Sequence, residues 1–165
     1  MNLILLSTQP REDFQKFVIH QCTRALIRVH FDFRKQALSL LAQMLGVLTY
    51  LHERRIVHRD IKPDNFLIAN GEVPIQKVDL KLIDFGIARR FEEGEKMFTK
   101  CFTTGYAAPE LLNGKSGYTG GQVDMWSIGV VVYVMLTGSM PWSDAQSKSS
   151  TSTFALPEEK VLCFF

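Results

Sequence analysis

His58-Arg59-Asp60-Ile61-Lys62-Pro63-Asp64-Asn65 packs five kinds of functional side chain into eight positions, and its reading decides the fold. Before it, Leu38, Leu41, Leu45 and Leu48 recur at three- and four-residue steps, with Met44, Val47 and Leu51 beside them. That period predicts a helix over residues 34–53 whose wide apolar stripe packs on a core. After it, residues 66–69 and 78–85 are short β-like runs, punctuated by Asn70-Gly71 and Pro74. Asp84-Phe85-Gly86 follows nineteen residues past Asn65. Residues 89–100 are charged and lack a period, so they read as a loop. Two further blocks come next, Gly105-Tyr106-Ala107-Ala108-Pro109-Glu110 and Asp124-Met125-Trp126-Ser127-Ile128-Gly129. The second lies within residues 122–137, a stretch apolar almost all round and therefore expected as a buried helix, with Gly138 placed to cap its end.

The order, spacing and identity of these blocks resemble the large lobe of a eukaryotic protein kinase, whose signature is H-R-D-L-x-x-x-N, D-F-G and A-P-E. Ile61 stands where leucine is usual. The resemblance implies an α+β fold, mainly α. It also implies transfer of the ATP γ-phosphate to Ser or Thr hydroxyls of protein substrates, with ATP and Mg²⁺ as cofactors. The residue types suit that chemistry. Phosphoryl transfer needs a carboxylate that orients a hydroxyl, oxygen ligands for Mg²⁺, and cations that offset charge on the phosphate. Asp60 is the candidate base, and Lys62 is placed to reach the transferring phosphate. Asn65 and Asp84 are the metal donors. Leu67 resembles the floor of the adenine pocket.

Lys62 resembles Ser/Thr rather than Tyr kinases, and by the same resemblance Thr103 faces substrate near Asp60 and Lys62. Arg59 resembles the arginine that pairs with a phosphorylated activation segment, with Thr99 the first candidate acceptor and Thr104 the second. His58, Phe85, Trp126 and Asp124 are scaffold in this reading, Asp124 accepting hydrogen bonds from the catalytic-loop backbone. The segments 62–67, 80–86 and 94–97 resemble the calcium-dependent and calmodulin-dependent kinase group. No D-x-D-x-D-G calcium loop is present.

Composition sets limits on other functions. The chain has 165 residues, with Lys plus Arg 19 against Asp plus Glu 17 and a formal charge of +2. That balance gives no support to nucleic-acid or polybasic membrane binding. Its 46% hydrophobic and 22% charged residues suit a globular chain and exclude a wholly disordered one. Three scattered cysteines make neither a disulfide framework nor a zinc cluster, so an intracellular, cytoplasmic setting is expected. The start lacks a basic segment and so does not read as a secretory signal. The longest apolar run, residues 128–136, is far short of the ~20 needed to span a bilayer.

The departures from the family pattern also shape the expectation. Residues 1–142 read as a partial kinase domain, truncated at both ends with the small lobe nearly absent. Residues 143–165 read as a Ser/Thr-rich flexible tail with an apolar end. Leu3 to Leu6 resembles the last small-lobe strand, with Ser7-Thr8-Gln9 as hinge and Glu12 near the ribose. No G-x-G-x-x-G loop or V-A-I-K lysine occurs. Weak ATP binding and little transfer are therefore expected from this chain alone. A second reading is a non-catalytic, kinase-derived binding module or decoy, and a third is a fragment of a longer kinase. Glu110 is expected to lack its arginine partner. The helix over 122–137 is expected to lack part of its cover and to expose an apolar surface for a partner.

Overall fold

The structure is a computed structural model that describes residues 30–70, 77–113 and 115–142, with side chains from residue 36 onward. Glu12, the expected hinge and the tail from residue 143 lie outside the described residues.

Helix α1 (His30–Glu53) begins earlier than the apolar period predicts. Its buried line is Ala37, Leu40, Met44, Leu48 and Leu51, spaced by three and four residues and so on one face. This line sits one position round from the expected stripe. Leu38 is 62% exposed, while Leu41, Leu45 and Val47 flank the buried line. The line packs with Ile61, Phe66, Val78 and Leu80, and with Ile128, Val131 and Met135 of helix α3 (Gln122–Thr137). Burying a leucine, methionine or phenylalanine contributes about 1.5–3 kcal/mol, so this cluster is the main source of stability.

A second cluster joins Val57, Met97, Ala107, Ala108, Leu111, Tyr118 and Val123. Helix α3 serves both clusters, Val123 in one and Ile128, Val131 and Met135 in the other. That explains why its sequence is apolar on nearly every side. It ends as expected, with Gly138 at φ 70° donating its N–H to the Val134 carbonyl at 2.8 Å. The expected bare face is absent among the described residues: Met125 is the only large apolar side chain of α3 that is strongly exposed. The short helix α2 (Pro109–Asn113) opens on a proline, whose missing N–H is harmless at a helix start.

Among the described residues the strands form three separate antiparallel pairs. β1 (Ile56–Val57) pairs with β4 (Arg89–Arg90). β2 (Phe66–Ile68) pairs with β3 (Leu80–Leu82), Phe66 opposite Leu82 and Leu67 opposite Lys81. β5 (Lys96–Met97) pairs with β6 (Tyr118–Thr119). Residues 89–100 are therefore not one plain loop. They carry β4 and β5, and two-residue strands leave no period to read. Gln43 of α1 clasps the β3 edge, its amide donating to the Val78 carbonyl and accepting from the Leu80 N–H, each at 2.9 Å.

Candidate active site

The loop between β1 and β2 is anchored from below by one carboxylate. Arg59 has φ 70°, a left-handed conformation that is rare and strained for a residue with a side chain. Asp124, fully buried in the first turn of α3, holds it there. Its Oδ1 accepts the Arg59 N–H at 2.8 Å and its Oδ2 accepts the His58 N–H at 2.9 Å. His52 Nε2, near the end of α1, lies 2.9 Å from the same Oδ2. His58 is also fully buried. Its Nε2 lies 3.1 Å from the Ile83 carbonyl and its Nδ1 accepts the Asp60 N–H at 3.3 Å, so both ring nitrogens are engaged. The Phe85 ring meets the imidazole edge-on at 4.9 Å. The scaffold roles expected of His58, Phe85 and Asp124 are thus visible as contacts.

On this base stands a compact polar array. Thr103 Oγ1 donates to Asp60 Oδ1 at 2.6 Å and accepts from Lys62 Nζ at 2.8 Å. Lys62 Nζ also lies 2.9 Å from Asp60 Oδ2. Asn65 Nδ2 donates to the Asp60 carbonyl at 2.7 Å and to Asp60 Oδ2 at 3.1 Å. Burial pushes the Asp60 carboxyl up, but hydrogen bonds from Thr103, Lys62 and Asn65 and the Lys62 charge outweigh it. The net result is a pKa below the ordinary value of 3.8. Asp60 is therefore an anion at neutral pH, able to accept a proton. Nearby, burial and the Asp64 charge push the Tyr106 phenol up to about 12, so it stays neutral.

The β2–β3 pair brings the two metal candidates to the same end of one ladder. Asn65 immediately precedes β2, and its carbonyl accepts the Ile83 N–H at 2.9 Å. Asp84 is the next residue, with φ 62°, and its Oδ1 accepts the Gly86 N–H at 3.2 Å. The Asn65 amide nitrogen is committed to Asp60, which leaves Oδ1 as its donor to a cation. One amide oxygen and one exposed carboxylate fit Mg²⁺, which takes few protein oxygens and completes its shell with phosphate and water. No group of three His, Cys, Asp or Glu converges among the described residues, so no all-protein metal cage is formed there. Leu67 is half-buried and stands outside the core that holds Phe66 and Ile68, its neighbours on the strand.

Arg59 and Thr99 are linked through a residue that sequence reasoning missed. Arg59 Nε donates to the Ile87 carbonyl at 2.7 Å and Nη1 donates to the Tyr118 hydroxyl at 3.1 Å. Tyr118 in turn donates to the Thr99 carbonyl at 3.1 Å. The Thr99 and Thr104 side chains are exposed. Among the described residues neither Arg59 nor Glu110 has an ion pair. His52 was missed as well. In the sequence it is one more polar residue at a helix end, and only its approach to Asp124, 72 positions away, gives it a role.

The sequence is similar to those of known protein kinases. The protein kinase domain family matches residues 14–161. Human calcium/calmodulin-dependent protein kinase type IV is 43% identical over 110 residues, 67% of this chain and 22% of that protein. The SNF1-like protein kinase ssp2 of Schizosaccharomyces pombe is 41% identical over 102 residues, 62% of this chain and 16% of that protein. The probable serine/threonine-protein kinase fhkC of Dictyostelium discoideum is 43% identical over 111 residues, 66% of this chain and 18% of that protein. The chain thus spans about a fifth of the length of these curated relatives. With a family match running over most of its length, the chain belongs to the protein kinase domain family.

Proposed function

We propose that this chain carries the phosphoryl-transfer centre of a Ser/Thr protein kinase, acting on Ser or Thr of protein substrates with ATP and Mg²⁺. The observation that carries the reading is the closed array of Asp60, Lys62, Thr103 and Asn65. Asp60, held ionised, orients the substrate hydroxyl and takes its proton as the oxygen–phosphorus bond forms and ADP leaves. Lys62 supplies a cation beside that carboxylate. Thr103 locks the two in register. Asn65 and Asp84 would hold Mg²⁺, which when bound offsets charge on the phosphate oxygens. Leu67 supplies one apolar wall for the adenine, and Glu12 is read as the ribose contact.

Regulation is read from Arg59. Only two of its five N–H donors are used among the described residues, and an exposed Thr99 lies one tyrosine away. A phosphate on Thr99 would find three free donors and an unpaired positive charge there. Cys101 is a free thiol, and no helix among the described residues is long and apolar enough to cross a membrane. An intracellular, cytoplasmic setting fits the free thiol.

The test is single-turnover transfer from Mg·ATP to a Ser-containing peptide, with the full chain in excess. Asp60→Asn is expected to lower the rate about 10²–10⁴-fold. Equal background from both proteins rejects catalysis by this chain. Peptide binding without transfer, unaffected by Asp60→Asn, favours the binding-module reading instead.

A further inference from the structure

Tyr118 is 3% exposed and sits on β6, opposite the fully buried Met97 of β5. Its single hydroxyl does two things, accepting from Arg59 Nη1 and donating to the Thr99 carbonyl, each at 3.1 Å. The turns on either side are moulded to the same segment. Gly117 has φ 68°, and a Cβ there would come within 3.0 Å of the Phe98 ring. Gly120 has φ 49°, and a Cβ there would meet the Phe91 ring at 3.1 Å. The Phe91 and Phe98 rings and the Met97 carbonyl therefore fit against the backbone around Tyr118, while its hydroxyl bridges the segment to the catalytic loop.

We infer that Tyr118 is a positioning residue that seats residues 96–101 against Arg59 in the unphosphorylated chain. The hydroxyl fixes one arm of the Arg59 guanidinium and the Ile87 carbonyl holds Nε, which leaves the other three N–H groups for an anion among the described residues. The seating stands on the hydrogen bonds alone, and only the purpose of the open arm rests on the regulatory reading above.

The experiment is hydrogen exchange by mass spectrometry on the full chain, with intact mass confirming that it is unphosphorylated. Tyr118→Phe is expected to speed exchange across residues 96–101 about tenfold while residues 123–137 keep their wild-type rates. Thr99→Ala is expected to change neither region, because the bond is to the backbone carbonyl. In ¹⁵N spectra, the two Arg59 Nη signals are expected to be resolved in wild type and averaged in Tyr118→Phe. Wild-type exchange in Tyr118→Phe overturns the inference. So does equal loosening of residues 123–137, which would make Tyr118 an ordinary core residue, or loosening by Thr99→Ala. If Tyr118→Phe does not fold, Arg59→Lys, which keeps the charge but not the fork, must loosen the same segment, and unchanged exchange overturns the inference. An inactive wild-type chain would sink the transfer reading and leave this result standing.

Discussion

Thr103 shows how much one hydroxyl can decide. Its bond to Asp60 is the first of the contacts that hold that carboxyl low against the upward push of burial. Thr103→Val removes the donor and keeps the shape. Asp60 should then titrate at higher pH, because burial is opposed by fewer partners. A carboxyl whose folded pKa is depressed adds stability above its unfolded pKa and loses it as pH falls through the folded value. The variant is therefore expected to begin acid unfolding at a higher pH than wild type, and any transfer rate should lose its acid limb sooner. Fluorescence-monitored acid titration of the two proteins side by side checks this. An unchanged acid midpoint would mean that Lys62 and Asn65 alone set the Asp60 pKa.

Among the elements, α1 meets the start of α3 without room for another atom at Gly121. Gly121 precedes α3, and a Cβ built on it would collide with the His52 ring. His52 is held in turn by Asp124, so it cannot move aside freely. Gly121→Ala is expected to destabilise the chain by about 1–3 kcal/mol, the usual range for overpacking, as read by urea denaturation. The same elements mark what the sequence makes legible. Helix α3 has the bounds its apolar run and Gly138 suggest, since both signals are local. The phase of α1 is less readable, because Leu38 matches the spacing of its neighbours yet faces out. Strands β4 and β5 are invisible to periodicity at two residues each. Asp60, Lys62, Asn65 and Asp84 stand in recognisable motifs. Tyr118 does not, because a buried tyrosine looks like core until its distant hydrogen bonds are known.

In the molecule as a whole, Asp124 reinforces the join between two clusters that share α3 and β1. Its oxygens tie the catalytic loop and the end of α1 to one point. Asp124→Ala would leave the buried N–H of His58 and the N–H of Arg59 without their acceptor, and Arg59 without the bond that holds its left-handed backbone. The expected loss is about 3–5 kcal/mol, comparable with breaking a buried polar pair and a large share of a typical domain's stability. Thermal unfolding should show a lower midpoint by both tryptophan fluorescence and circular dichroism.

Among the described residues the three strand pairs do not merge into a larger sheet. A lone two-stranded ribbon is marginal in water, so each pair persists only while the helices hold its ends together. Yet the ladders align what the helices do not: Asn65 with Asp84, and Tyr118 with the segment before Thr99. Warming should therefore uncouple competence from helicity. Ligand or peptide binding is expected to fade several degrees before the far-ultraviolet helical signal, leaving an interval in which the chain is still largely helical but no longer assembled for chemistry.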